Sequence, residues 1–349
     1  MQYEGDGISF RRGDVLFGKL RPNLRKAWLA DTDGDAVGDF HVYRPVPSLM
    51  TSRYLAYVAL SEPFLEPVIA SVYGAKMPRA DWGEIRNIKV WVPDPLEQRA
   101  IADYLDRETT QIDAFIAKNE ELITLLIERR LSATTAAVTQ AANGPLVALR
   151  NVALVLDCKH VTAESADGDG SFAVASVREV AGHWVNVTNA RRTTEESFRS
   201  LGEGGRTLEP WDLLVCRNTS VGKVSIVPPD IEPTVMGQDV SLIRTRPADR
   251  DASRFLHYVL TSAVGSDAFE RASIGSTFKR INVDDIKSLR VPQVEPKTAR
   301  RVADELDALT SRIDKAISTA ERGVRLARER RAALISAAVT GKTNVGVAA

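Results

Sequence analysis

Apolar positions recur with helical spacing over Glu97–Gln140, and the run has no glycine and no proline to interrupt it, so it predicts one long helix. Shifted by roughly 200 positions, the same pattern lies on Thr298–Gly341, with about 18 identities over about 44 aligned residues. The identities cluster as Ala-Asp-x-Leu-Asp, Ile-Asp, Glu-Arg-Arg and Ala-Ala-Val-Thr. With Leu105 and Leu306 placed at heptad position a, the a and d positions carry Leu105, Ile112, Phe115, Asn119, Leu122 and Leu126 in the first helix. The second offers Leu306, Ile313, Ala316, Ala320, Gly323 and Ala327. Bulky side chains opposite small ones predict that the two helices pair with each other, and antiparallel pairing spares the intervening chain a full-length return.

Shorter signals fill the rest. Strands are predicted at Val15–Phe17, Lys26–Ala30, Phe40–Tyr43 and Ile88–Val92, with Asp31–Gly38 a polar loop and helices over Ser52–Leu60 and Pro63–Ser71. After the Gly144-Pro145 break the series repeats. Asp212–Val215 answers Asp14–Phe17, Arg246-Pro247 answers Arg44-Pro45, Gly275–Arg280 answers Gly74–Arg79, and Leu289–Pro292 answers Ile88–Pro93. The chain therefore reads as a pseudo-two-fold tandem repeat of mixed α/β (α+β) globules, each followed by a long helix. The expected divisions are a first globule 1–95, a helix 96–142, a second globule 143–296, a second helix 297–341 and a disordered tail 342–349. About 65 residues precede Asp212 in its repeat and only 13 precede Asp14, so the first globule is expected to lack its opening third, through truncation or a start upstream of Met1.

Composition adds less. Hydrophobic residues make up 44% and charged residues 26% of 349, as in a globular protein, and no apolar run reaches membrane-spanning length. Two cysteines and no signal-peptide pattern suggest the cytoplasm. Lysine plus arginine and aspartate plus glutamate are equal at 46, but Arg11–Lys26 is a local basic patch. Phosphate-loop and nucleophile-elbow motifs are absent, as are paired Cys or His spacings for zinc, so neither an enzyme nor a cofactor or metal is expected. The scattered histidines are assigned structural roles, and Trp82, Trp91, Trp184 and Trp211 are assigned to the cores.

Several stretches carry a family resemblance: Gly13–Pro22 (GDVLFGKLRP), Lys76–Arg79, Pro93–Arg99 (PDPLEQR), Ile101–Asp106, Ile112-Asp113, Glu128–Arg130 and Ala137–Thr139. In their two-unit order they resemble the specificity subunit of type I restriction–modification systems. The second unit departs from the pattern at its helix entry, where Val291–Arg300 (VPQVEPKTAR) replaces the Pro-x-x-Glu-Gln form. The resemblance implies two target-recognition domains reading the halves of a bipartite site on double-stranded DNA. It also implies methyltransferase and restriction subunits as partners, with this chain itself non-catalytic. About 30 paired helical residues at ~1.5 Å per residue would make a spacer of roughly 45 Å, against ~34–36 Å for one turn of B-DNA. Candidate DNA-contacting residues beside turns are Lys19, Arg21, Asn23, Lys76 and Arg79 in the first domain, and Arg217, Asn218, Lys223, Lys279 and Arg280 in the second. A degenerate remnant of the family and a helical protein-binding adaptor remain the alternatives.

Overall fold

A computed structural model describes residues 7–73, 77–166, 172–245, 249–275, 279–343 and 345. The chain divides into two units, Met1–Ile123 with Ser318–Ala349, and Thr124–Ile317. Both long helices therefore contribute a half to each unit.

Unit 1 opens with β1 (Ile8–Phe10), β2 (Val15–Gly18), β3 (Ala27–Leu29), β4 (Gly34–Ala36) and β5 (Phe40–Tyr43). The strands form an antiparallel sheet of order β3-β2-β5, and β1 pairs separately with β4. Helices α1 (Ser52–Val58), α2 (Glu62–Ala70) and α3 (Trp82–Ile85) follow. Val15, Phe17, Phe64, Leu65 and Val68 form the core between sheet and helices. The segment expected as a polar loop thus contains β4, which is defined by its pairing with β1 and not by apolar alternation. The strand expected at Ile88–Val92 is absent: among the described residues no segment offers it a ladder, and a strand exists only with a partner.

The first long helix, α4, spans Pro95–Ala141. Pro95 occupies its first position, where no backbone N–H is needed, and the Asp94 carboxylate accepts from the N–H groups of Leu96 and Glu97 at 2.8 and 3.0 Å. Gln98 is fully buried and ties the helix entry to the globule. Its carbonyl accepts from the Thr51 N–H at 2.7 Å, and its amide donates to the Leu49 and Pro93 carbonyls at 2.8 Å each.

Unit 2 contains β6 (Leu146–Ala148), α5 (Leu149–Val152), β7 (Ala153–Asp157), β8 (Phe172–Ala175), β9 (Arg191–Thr193), α6 (Glu195–Gly202), β10 (Leu213–Cys216), β11 (Val224–Ile226), β12 (Thr234–Met236) and β13 (Val240–Thr245). It continues with α7 (Arg250–Thr261), α8 (Ala263–Ala272), α9 (Val283–Ser288) and β14 (Arg290–Pro292), and leads into α10 (Pro296–Ala338). One antiparallel sheet has the order β11-β10-β13-β7, and a second, β12-β8-β9, joins β12 and β8 in parallel. Strand β14 forms here because β6 pairs with it. In the repeat, β10, β11 and β13 match β2, β3 and β5. Beyond Ala338 the Gly341 backbone turns left-handed (φ 69°), and the Lys342 N–H donates to the Ala337 carbonyl, which closes the helix. The tail expected as disordered falls largely outside the described residues.

Within each unit the helix halves run antiparallel. In unit 1 the Arg331 guanidinium lies 2.9 Å from Asp113, and Arg328 pairs with Glu120 at 2.6 Å. In unit 2 Arg130 pairs with Asp314 at 2.7 Å. The heptad frame is corrected by burial. Leu105, Thr109 and Ile112 are buried and Ile116, Asn119, Ile123, Leu126 and Arg130 are half-buried, so the seam steps by four and then three from Leu105, which sits at d. Leu306, Thr310, Ile313, Ala320 and Val324 are buried on the same frame, with Ile317 and Ala327 half-buried. Phe115, Leu122 and Ala316 therefore lie outside the seam and are exposed, because an apolar residue three places from a true d position faces the flank. Phe115, 49% exposed, still covers half-buried Gly323: a Cβ added there would meet its ring at 3.6 Å, so the bulky-over-small contact exists on the flank. The tryptophans also depart from expectation. Trp82, Trp91 and Trp184 are exposed, and only Trp211 packs partly against a core.

Candidate nucleic-acid interface

The Gly-Asp and Trp-Asp turns before β2 and β10 carry a buried carboxylate. Asp14 accepts from the Arg11 N–H and Asp212 from the Glu209 N–H, each at 2.8 Å, which closes the turn. Each then takes a bidentate arginine from the neighbouring strand region. Arg44 donates to Asp14 at 2.9 and 2.6 Å, and Arg244 to Asp212 at 2.7 Å twice. Arg44 thus matches Arg244, not Arg246 as the sequence alignment has it; Arg246 lies outside the described residues. The Arg44 hydrogen bonds hold the Asp14 carboxyl below its ordinary value, whereas deeper burial pushes Asp212 up.

These paired turns fix β2 and β10, and the chain leaving each strand enters a cluster of loops. In unit 2 the Arg217 N–H donates to the Asp239 carbonyl at 2.8 Å and the Ile281 N–H to the Arg217 carbonyl at 3.0 Å. Arg280 exchanges backbone hydrogen bonds with Ile274 at 3.0 and 2.8 Å and bridges to Asn218. In unit 1 the Lys19 N–H donates to the Asp39 carbonyl at 3.0 Å and the Ala80 N–H to the Lys19 carbonyl at 2.9 Å. Arg79 exchanges backbone hydrogen bonds with Tyr73 and bridges to Leu20. Lys19, Leu20, Asp39 and Arg79 are thus the counterparts of Arg217, Asn218, Asp239 and Arg280. One backbone constellation is built twice.

The expected contact residues fall into two groups. Several are held by acids. Arg217 pairs with Asp157 and donates to the Ile281 carbonyl, with its side chain largely buried, while the Asn218 amide donates to Asp239 at 2.5 Å. Arg79 lies 3.1 Å from Asp39, and Lys279 pairs with Glu270. Lys19, Arg21, Lys223 and Arg280 form no ion pair among the described residues, and the last three are exposed. Arg21 stands in a left-handed conformation (φ 52°), its N–H donating to the Pro78 carbonyl at 2.8 Å, and exposed Asn23 lies on the single 3-10 turn that follows. Lys76 lies outside the described residues. Sequence reasoning did not assign Asp39, Asp239 and Asp157 to the site; the first two were legible as Gly38-Asp39 and Gly237-Gln238-Asp239 in the two repeats.

A second repeated constellation clamps each globule to the long helices. In unit 2 Arg254 pairs with Asp251 and Asp304, each at 2.9 Å, and with Asp307, while the Tyr258 hydroxyl donates to Asp307 at 2.5 Å and lies 3.1 Å from Thr310. In unit 1 Arg53 pairs with Asp103 at 2.7 Å and with Asp106, and the Tyr57 hydroxyl donates to Asp106 at 2.5 Å. Asp103 and Asp106 on α4 correspond to Asp304 and Asp307 on α10 in the helix repeat, whereas Asp251 belongs to α7.

No family model matches the sequence, and no curated protein matches it. Solved structures do. A chain from a structure of the type I R-M system, described for its complex assembly and conformational transition, aligns over 98% of this chain and 86% of its own at 17% identity, with a TM-score of 0.66. The HsdS subunit from Thermoanaerobacter tengcongensis aligns over 96% and 82% at 17% identity (TM-score 0.46), and the type I S subunit from M. genitalium over 96% and 84% at 14% (TM-score 0.43). The chain thus has the fold seen in the first of these: mixed α/β units with two long helices. No helix among the described residues is long and apolar enough to cross a membrane.

Proposed function

We propose that this chain is a non-catalytic reader of a split DNA site. It would act as the specificity subunit that positions methyltransferase and restriction subunits of a type I restriction–modification complex in the cytoplasm. The observation that carries this reading is the duplication of one loop constellation, Lys19/Asp39/Arg79 and Arg217/Asp239/Arg280, on a fold shared with a chain of the type I R-M system. Two equivalent loop clusters suit two half-sites. Acid-held Arg79 and Asn218 are preset in geometry, while unpaired Arg21, Lys223 and Arg280 are available to phosphates and base edges. The base to be methylated would be flipped into the partner's active site. Duplex binding measured against salt tests this. Log affinity should fall linearly with log salt at roughly 0.9 per neutralised phosphate, and a protein-binding adaptor would show no such slope.

A further inference from the structure

At the end of β7 in unit 2, Asp157, Cys158 and His160 converge. The Cys158 Sγ lies 3.8 Å from His160 Nδ1, Asp157 Oδ2 lies 3.4 Å from His160 Nε2, and one ligand atom from each residue lies within 4.8 Å of the others. Zinc bonded to sulfur at ~2.3 Å and to nitrogen at ~2.0–2.1 Å in tetrahedral geometry sets those two atoms about 3.6 Å apart. The thiol and imidazole already stand near that spacing. Asp157 is fixed by its ladder position opposite Ser241 on β13, and Cys158 is buried directly after it, whereas His160 is exposed and leaves a path from solvent. A thiolate, an imidazole and a carboxylate favour zinc over magnesium or calcium, which prefer all-oxygen shells.

One charge opposes this. The Arg217 guanidinium already sits on Asp157 Oδ1 and is held from its other side by the Ile281 carbonyl. A dication and a guanidinium on one carboxylate repel strongly at such short range. We propose that Asp157, Cys158 and His160 form a site for a thiophilic divalent cation, zinc foremost, and that the cation competes with Arg217 for Asp157. On binding, a metal–sulfur bond replaces the S–H bond, the proton leaves to solvent, and Arg217 is freed from its carboxylate. Water completes the tetrahedron. The site does not depend on the DNA-reading proposal.

The test uses the full chain, reduced and stripped with a chelator, titrated with Co2+ and then back-titrated with Zn2+. One equivalent of cobalt with thiolate charge-transfer absorption, displaced by zinc, is expected. Cys158→Ser should abolish the absorption, and Cys216→Ala should retain it. His160→Gln, at an exposed position that leaves folding intact, should weaken binding at least roughly tenfold, and Arg217→Met should tighten it. Absence of the thiolate band, its survival in Cys158→Ser, or unchanged affinity in His160→Gln overturns the site. Unchanged affinity in Arg217→Met overturns the competition.

Discussion

Replacing Arg254 and Arg53 by methionine separates burial from chemistry, because the two arginines occupy the same repeated clamp. Arg254 is 4% exposed and serves Asp251, Asp304 and Asp307, whereas Arg53 is 42% exposed and serves Asp103 and Asp106. Methionine keeps the aliphatic stem and removes the charge. Breaking a buried ion pair by deleting one partner costs ~3–5 kcal/mol. Asp304 and Asp307 are 56% and 35% exposed, so water relieves part of their stranded charge, and the Arg254→Met loss should be about 2–3 kcal/mol. Arg53→Met should cost under about 1 kcal/mol, as for exposed pairs. Amide hydrogen exchange resolves the two sites. Protection in Arg250–Thr261 should fall roughly 30- to 150-fold in Arg254→Met, and protection in Ser52–Val58 less than about 5-fold in Arg53→Met. Equal losses in both would refute burial as the deciding difference.

Burial pulls the His257 imidazole down to about 3, with His183 beside it opposing protonation further. Between its ordinary 6.5 and that value the unfolded chain takes up a proton that the folded chain refuses, so stability is lost as the pH drops through this range, by up to ~1.4 kcal/mol per unit. Urea midpoints at pH 7 and pH 5 should differ less in His257→Met than in the parent, and an unchanged difference would assign the effect elsewhere. Arg280→Ala should weaken duplex binding and lower the salt slope by about 1, whereas Lys287→Ala, at a residue paired with Asp284, should leave the slope as it was. Inserting one heptad into each long helix, after Glu121 and after Ile317, should change the preferred half-site spacing by about 3 base pairs without changing the bases read. A fixed spacing would remove the helices as its determinant.

Much of the fold was legible because the chain states it twice. The offset of roughly 200 located both long helices to within three residues at either end and matched β2 to β10 and β5 to β13. Pairing was less legible. Ile88–Val92 has the composition of a strand but no ladder partner among the described residues, and β4 is polar yet paired, since strand identity depends on a distant segment. The expected frame kept Leu105, Ile112, Asn119 and Leu126 but took Phe115 and Leu122 where Ile116 and Ile123, one residue on and also apolar, hold the seam, and it passed over the polar Thr109. Size alone does not say which face is covered. At the candidate interface, the sequence named basic residues but not which of them acids already hold. Asp157 lies 60 residues from Arg217, and only the pairing of β7 with β13 and of β13 with β10 brings the two together.

Selection from a random duplex library by the chain co-purified with the proposed methyltransferase subunit tests the reading of a split site most directly. The enriched sequences should share two fixed blocks separated by a gap of constant length, with Arg280→Ala relaxing one block and Arg79→Ala the other. Enrichment of a single block, or no enrichment over the input library, would contradict recognition by both loop clusters.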